Sequence, residues 1–154
     1  MHYRRTQGIT LIELLIGIAI LGIIGAVAIT SLSSLRGAQA LKNSTASTVS
    51  VFHEARARTL ASESASSYGV HIGTTELVLF QGAAYVAGNT GNKRVSLDDG
   101  VTISSISLAG GGTDVVFNRL TGGTNQNGTF VIVGTTPTAQ KTITISKTGL
   151  ISSN

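Results

Sequence analysis

The chain has 154 residues, 12% of them charged, 5% aromatic and none cysteine. Its length fits about one domain at roughly 100–200 residues each, its mean hydropathy of +0.31 excludes wholesale disorder, and the missing Cys excludes disulfide frameworks, Cys-ligated zinc, iron–sulfur clusters and thiol nucleophiles. The pI of 9.9 reflects a net charge of only +4, two charges of which are Arg4 and Arg5, so there is no broad basic footprint of the kind nucleic acid needs.

The hydrophobicity is concentrated at the start. From Ile9 to Ile29 only Thr10 and Glu13 are neither aliphatic nor Gly. As a helix at ~1.5 Å per residue this stretch would run about 31 Å, the thickness of a hydrocarbon core of ~30 Å. A cleaved secretory signal has an apolar run of only about 7–15 residues and a small-residue cleavage site, and this stretch is longer and lacks such a site. A plain signal anchor, oriented with Arg4 and Arg5 in the cytoplasm, leaves Glu13 unexplained. A carboxylate at the centre of an apolar span costs about 2.5–3.5 kcal/mol, and such residues normally have a partner. The span itself contains no basic residue.

The run Gly8-Ile9-Thr10-Leu11-Ile12-Glu13-Leu14-Leu15-Ile16 resembles the class III signal of type IV pilins and type II secretion pseudopilins. The resemblance implies cleavage by prepilin peptidase between Gly8 and Ile9, N-methylation of Ile9, and retention of the apolar helix. It also implies subunit assembly through Glu13, Ile9, Leu14 and Leu15, with the Glu13 carboxylate meeting the Ile9 amine of a neighbouring copy. Ile9 stands where Phe is commonest. Gly17, Gly22 and Gly25 interrupt the span and would give the helix local flexibility; small residues also let helices approach closely. Thr30 stands where such helices often have Pro, and the sole Pro is Pro137.

The helix is expected to continue. Residues 38–65 contain no Pro or Gly, and Leu41, Thr45, Val49, Phe52, Arg56 and Leu60 recur at helical spacing. That stripe, padded by Ala46, Ala55 and Ala57, would pack on a sheet, and Gly69 is the expected helix stop. Beyond Tyr68 the period becomes two. Segments 68–72, 77–80, 83–86, 94–97, 101–108, 115–117, 129–133, 142–146 and 150–151 read as strands, separated by Gly-rich turns. Helix first and strands after gives α+β. The expected organisation is a leader at 1–8, a transmembrane or fibre-core helix at 9–30, an amphipathic helix half at 31–67 and an antiparallel β-sheet head at 68–154. The spacing of the last strands and the Gly149 turn resembles the H-type minor pseudopilin branch.

The head shows no catalytic pattern. There is no phosphate loop and no Gly-x-Ser-x-Gly elbow. His53 and His71 read as structural or surface residues, and Asp98-Asp99-Gly100 reads as a hairpin turn rather than part of a calcium site, which takes six to eight oxygens. No metal, cofactor or enzymatic activity is expected. Lys93, Arg94, Arg119, Lys141 and Lys147 are the bases that would have to converge to hold phosphates, and nucleic acid is not expected as a partner. The resemblance thus implies a structural subunit of a type IV pilus-like filament: a homo-oligomer with other pilins, served by prepilin peptidase and an assembly motor platform. It would lie in the inner membrane as a prepilin and on the cell surface once assembled. The alternative is a minor pilin or secretion pseudopilin, with a possible DNA-binding role in uptake.

Overall fold

The computed structural model describes residues 8–135 and 138–154, and of residues 28–32 the backbone alone. The leader residues ahead of Gly8, the side chain of Thr30, and Pro137 lie outside this set. One helix, α1, runs Leu11–Leu60, followed by a single 3-10 turn at Glu63–Ala65. Eight strands follow: β1 Tyr68–Ile72, β2 Glu76–Gln81, β3 Lys93–Ser96, β4 Val101–Leu108, β5 Asp114–Val116, β6 Gly128–Thr135, β7 Thr138–Ile145 and β8 Ile151–Ser153. The chain divides into two units, one ending at Leu35 and the other running Arg36–Asn154.

In the second unit the helix packs against antiparallel sheets, so the fold class is α+β as expected. There are two sheets, each four-stranded, in the orders β3-β2-β1-β5 and β4-β6-β7-β8. Both contribute to one core with α1. Phe52 and Ala55 from the helix, Val70, Leu77 and Leu79 from the first sheet, and Phe130, Ile132 and Ile143 from the second are all buried in it. The Phe52 and Phe130 rings lie 5.9 Å apart across the helix–sheet interface.

The buried face of α1 is not the stripe read from the sequence. Leu41, Thr45 and Phe52 are in it, but Leu60 is 39% exposed, and Ser44, Thr48 and Thr59 are buried instead. Those hydroxyl residues can be buried because each is hydrogen-bonded, Ser44 by the Asp98 N–H at 2.9 Å and the threonines within the helix. Thr45 donates to the Leu41 carbonyl at 2.7 Å, Thr48 to Ser44 at 2.8 Å and Thr59 to Ala55 at 2.8 Å. A hydrogen-bonded hydroxyl escapes most of the cost of burial.

Two further expectations are corrected. Gly69 does not stop the helix, which ends at Leu60; Gly69 lies inside β1. It pairs across the sheet with Phe80, and a Cβ there would sit 2.5 Å from the Phe80 ring, so only glycine leaves room for the aromatic. Residues 83–86 are not a strand. The chain leaves the sheet after β2 and folds back, stacking Tyr85 on His71 at 4.1 Å and tilting it against Phe80 at 5.8 Å. That cover explains why Val78 and Phe80 are buried as well as Leu77 and Leu79. A strand covered on both faces reads as a continuous apolar run.

The C-terminal half of α1 is tied to β3 through Glu54. Its carboxylate accepts from Lys93 at 2.7 Å and from Arg58 at 2.8 Å. The Lys93 hydrogen bond, helped by the charges of Lys93 and Arg58, holds the Glu54 carboxyl below its ordinary value of 4.5 against the opposing effect of partial burial. A lowered acid stabilises the fold above its unfolded-state pKa, and that contribution is lost as pH falls through the folded-state value. Glu54→Gln is expected to lower stability at pH 7 by about 0.5 kcal/mol, the scale of an exposed ion pair. Urea titrations at pH 7 and pH 3 check this: the wild-type advantage should shrink at the lower pH.

Candidate functional site

The residues singled out for assembly all lie in the first unit, at the start of α1. Thr10 precedes the helix and caps it. Its carbonyl accepts from the Leu14 N–H at 3.2 Å, and its hydroxyl accepts from the Glu13 N–H at 3.3 Å. Glu13 is therefore the third residue of the first turn, the acidic position of a Thr-x-x-Glu capping arrangement. A carboxylate there faces the positive end of the helix dipole. The chain thus has a local reason to tolerate Glu13 that is independent of any partner.

Ile9, Glu13 and Leu14 line a shallow recess of 250 Å³ with Gly17, Ile18 and Leu21. These positions follow one another along a single helix face. Gly17 is what makes the notch, because nothing lies within 4 Å of where its Cβ would be. Leu15 is outside the recess, and Gly22 and Gly25 lie further along α1 with the same open space around them. Nothing in the unit covers its apolar side chains. Ile9 is 77% exposed, Leu14 58% and Ile20 51%, whereas an exposed contiguous apolar surface marks an interaction site. Within the 9–30 span the described side chains end at Val27. Among the described residues no helix is long and apolar enough to cross a membrane, and the rest of the 9–30 span falls on side chains outside that set.

In the second unit the five candidate bases do not converge. Lys93 is bound to Glu54, and Arg94 to Glu76 at 2.6 Å. Lys141 lines a groove along α1 with Lys42 and His53, while Arg119 and Lys147 sit on loops beyond β5 and β7. His53 is exposed on the helix. His71 has a partner that sequence reading missed: its Nδ1 lies 2.6 Å from an Asp114 carboxylate oxygen, joining β1 to β5 where the two residues are paired in register. A Val-His-Ile run gives no hint of this, because the partner is 43 positions away. Arg56, read as part of the helix stripe, instead donates to the carbonyls of Gly122 at 3.1 Å and Thr148 at 3.4 Å. Among the described residues no three His, Asp or Glu side chains are grouped to hold a metal ion.

The decisive observation is again at the N-terminus. Residues 3–29 match the family described as the prokaryotic N-terminal methylation motif. The chain carries a class III prepilin-type signal. This signal is typical of type IV pilins and pseudopilins, and the match includes Gly8, Ile9, Glu13 and the recess beside Gly17. It ends at residue 29 and does not extend to the head. Comparison with curated proteins and with solved structures gives no match.

Proposed function

We propose that this chain is a structural subunit of a type IV pilus-like filament, cleaved by prepilin peptidase after Gly8 and methylated on Ile9. The observation that carries this reading is the conjunction at the start of α1. The methylation motif is continuous with a helix whose apolar side chains from Ile9 to Val27 are left uncovered. Two environments bury such a surface, lipid before assembly and neighbouring helices after it. Each Å² of apolar area removed from water contributes about 25 cal/mol, so packing these helices supplies cohesion. The Ile9 amine of one copy entering the Gly17 recess beside Glu13 of another supplies register, a role well attested for buried polar pairs.

A pseudopilin or minor pilin would use the same N-terminal chemistry in few copies. The short β8 after the Gly149 turn favours that variant, because this ending is the part of the head that resembles the H-type branch. DNA capture has less support, since Lys93 and Arg94 are already engaged by carboxylates.

Intact-mass spectrometry of material sheared from the cell surface tests the reading. The expected species lacks residues 1–8 and carries one extra methyl. If it dominates the sheared fraction, the chain is a major filament subunit. A trace that stays with the membrane indicates the minor or pseudopilin variant. A chain never cut after Gly8 refutes both.

A further inference from the structure

The Arg36–Asn154 unit has two unlike ends. Along α1, Ser44 and Leu60 are separated by about 24 Å at ~1.5 Å per residue, and each marks one end. At the Leu60 end the 118–124 loop and the 146–150 turn are locked together. The Thr124 N–H donates to the Lys147 carbonyl at 3.0 Å, and Arg56 donates to both segments. Gly149, at φ 75°, backs directly onto the Gly122 carbonyl, where any side chain would collide. The clamp presents Arg119, Leu120, Lys147 and Leu150 to solvent, with Leu120 79% and Leu150 58% exposed. Leu120 holds a φ of 69°, a left-handed conformation unfavourable for a branched side chain. Neither Arg119 nor Lys147 has an ion-pair partner among the described residues.

The Ser44 end presents an acidic turn. The Asp98 N–H donates to the Ser44 hydroxyl at 2.9 Å, and the Gly100 carbonyl accepts from Thr135 at 2.9 Å, so the 98–100 turn is held beside the helix. Asp98 and Asp99 are exposed. Every other side-chain carboxylate of this unit is engaged: Glu54 and Glu63 by Arg58, Glu76 by Arg94 and Asp114 by His71. Arg36 and Lys42 on α1, and Lys141 in the groove with Leu41 and Thr45, are also at this end, but among the described residues no cation forms an ion pair with Asp98 or Asp99.

We infer that a second copy of this chain docks head to tail on this unit, the Arg119–Leu120 and Lys147–Leu150 tip of one copy seating against the Asp98–Asp99 turn of the next. The inference rests on the filament reading and adds the head contact to it. A contact between two different patches does not close on itself as a two-fold dimer does, and it propagates as a helix. Tip against tip would set cation against cation, so charge selects the polar arrangement, while the two exposed leucines supply apolar area.

The chain contains no cysteine, so introduced thiols report the contact without background. Ser96 and Thr121 are exposed beside the two patches. In cells making the full chain, the variant carrying both Ser96→Cys and Thr121→Cys is expected to oxidise to a ladder of dimers, trimers and higher species. Each single variant is expected to stay monomeric. Adding Asp98→Lys and Asp99→Lys should abolish the ladder, and adding Arg119→Glu and Lys147→Glu on top should restore it. Dimers from either single variant mean a two-fold contact and overturn the proposal. A ladder indifferent to charge reversal, or no ladder, also overturns it. The mass of the chain in the sheared fraction decides separately whether the filament reading stands.

Discussion

Glu13→Leu is expected to leave the head folded and α1 inserted in the membrane, and to remove the chain from the sheared filament fraction. Locally the substitution is mild. The helix loses a carboxylate near its positive end, about 0.3–1 kcal/mol, but keeps the Thr10 hydroxyl bond to the backbone of residue 13. Insertion becomes easier, because a charge penalty that reaches about 2.5–3.5 kcal/mol at the centre of a span and is smaller near its end disappears. On the filament reading proposed above, what is lost is intermolecular. An Ile9 amine entering the Gly17 recess would find no carboxylate, and an uncompensated buried charge costs about 3–5 kcal/mol. Repeated at every subunit, that stops growth.

The matched control is Thr10→Ala, which removes the cap at a cost of about 1 kcal/mol and leaves the carboxylate in place. It should assemble. Immunoblots of sheared and membrane fractions separate the cases. Normal filaments from Glu13→Leu would mean that Glu13 serves only as the acidic member of the helix cap, and that the intermolecular pair does not exist.

Phe52→Ala is expected to destabilise the Arg36–Asn154 unit by about 3–5 kcal/mol, the usual range for deleting a buried phenyl group. The ring is fully buried and lies against Phe130, at the point where the helix and the second sheet share one core. Such a loss is a large part of a total stability of about 5–15 kcal/mol, and the thermal midpoint should fall by about 10 °C or more. Leu60→Ala provides the contrast. It belongs to the same stripe in the sequence but is 39% exposed, and it should cost under about 1 kcal/mol. Thermal melts of the wild type and the two variants check both figures. Equal losses would mean that Leu60 is as much a part of the core as Phe52.

Much of this molecule was legible before any coordinates. The strands at 68–72 and 101–108 have the bounds that alternation gave them, because Tyr68, Val70 and Ile72 in the first and Val101 and Ile103 in the second are core residues at every other position. The class III signal that includes Gly8, Ile9 and Glu13 was legible because its meaning is local: a small residue, an apolar run and one acid at fixed spacing. The buried face of α1 was misplaced because Ser44, Thr48 and Thr59 look like solvent residues until their hydroxyls are seen hydrogen-bonded, Thr48 and Thr59 to carbonyls one turn back and Ser44 to the Asp98 N–H. The 83–86 segment misled for a related reason. Ala83-Ala-Tyr-Val has strand composition, yet Tyr85 is used as a lid on His71 and Phe80.

The sequence by itself determined the class III signal, the long helix, the α+β order and the absence of thiol chemistry, since each follows from residue identity and near-neighbour spacing. Only the tertiary structure decided that there are two sheets rather than one and that Glu54 neutralises Lys93. It also showed that His71 meets Asp114, and that Arg56 binds two loops into a basic, apolar tip opposite the Asp98–Asp99 turn. These depend on residues from 39 to 92 positions apart being brought within a few ångströms. Packing selects those pairs, and no local pattern in the chain encodes them.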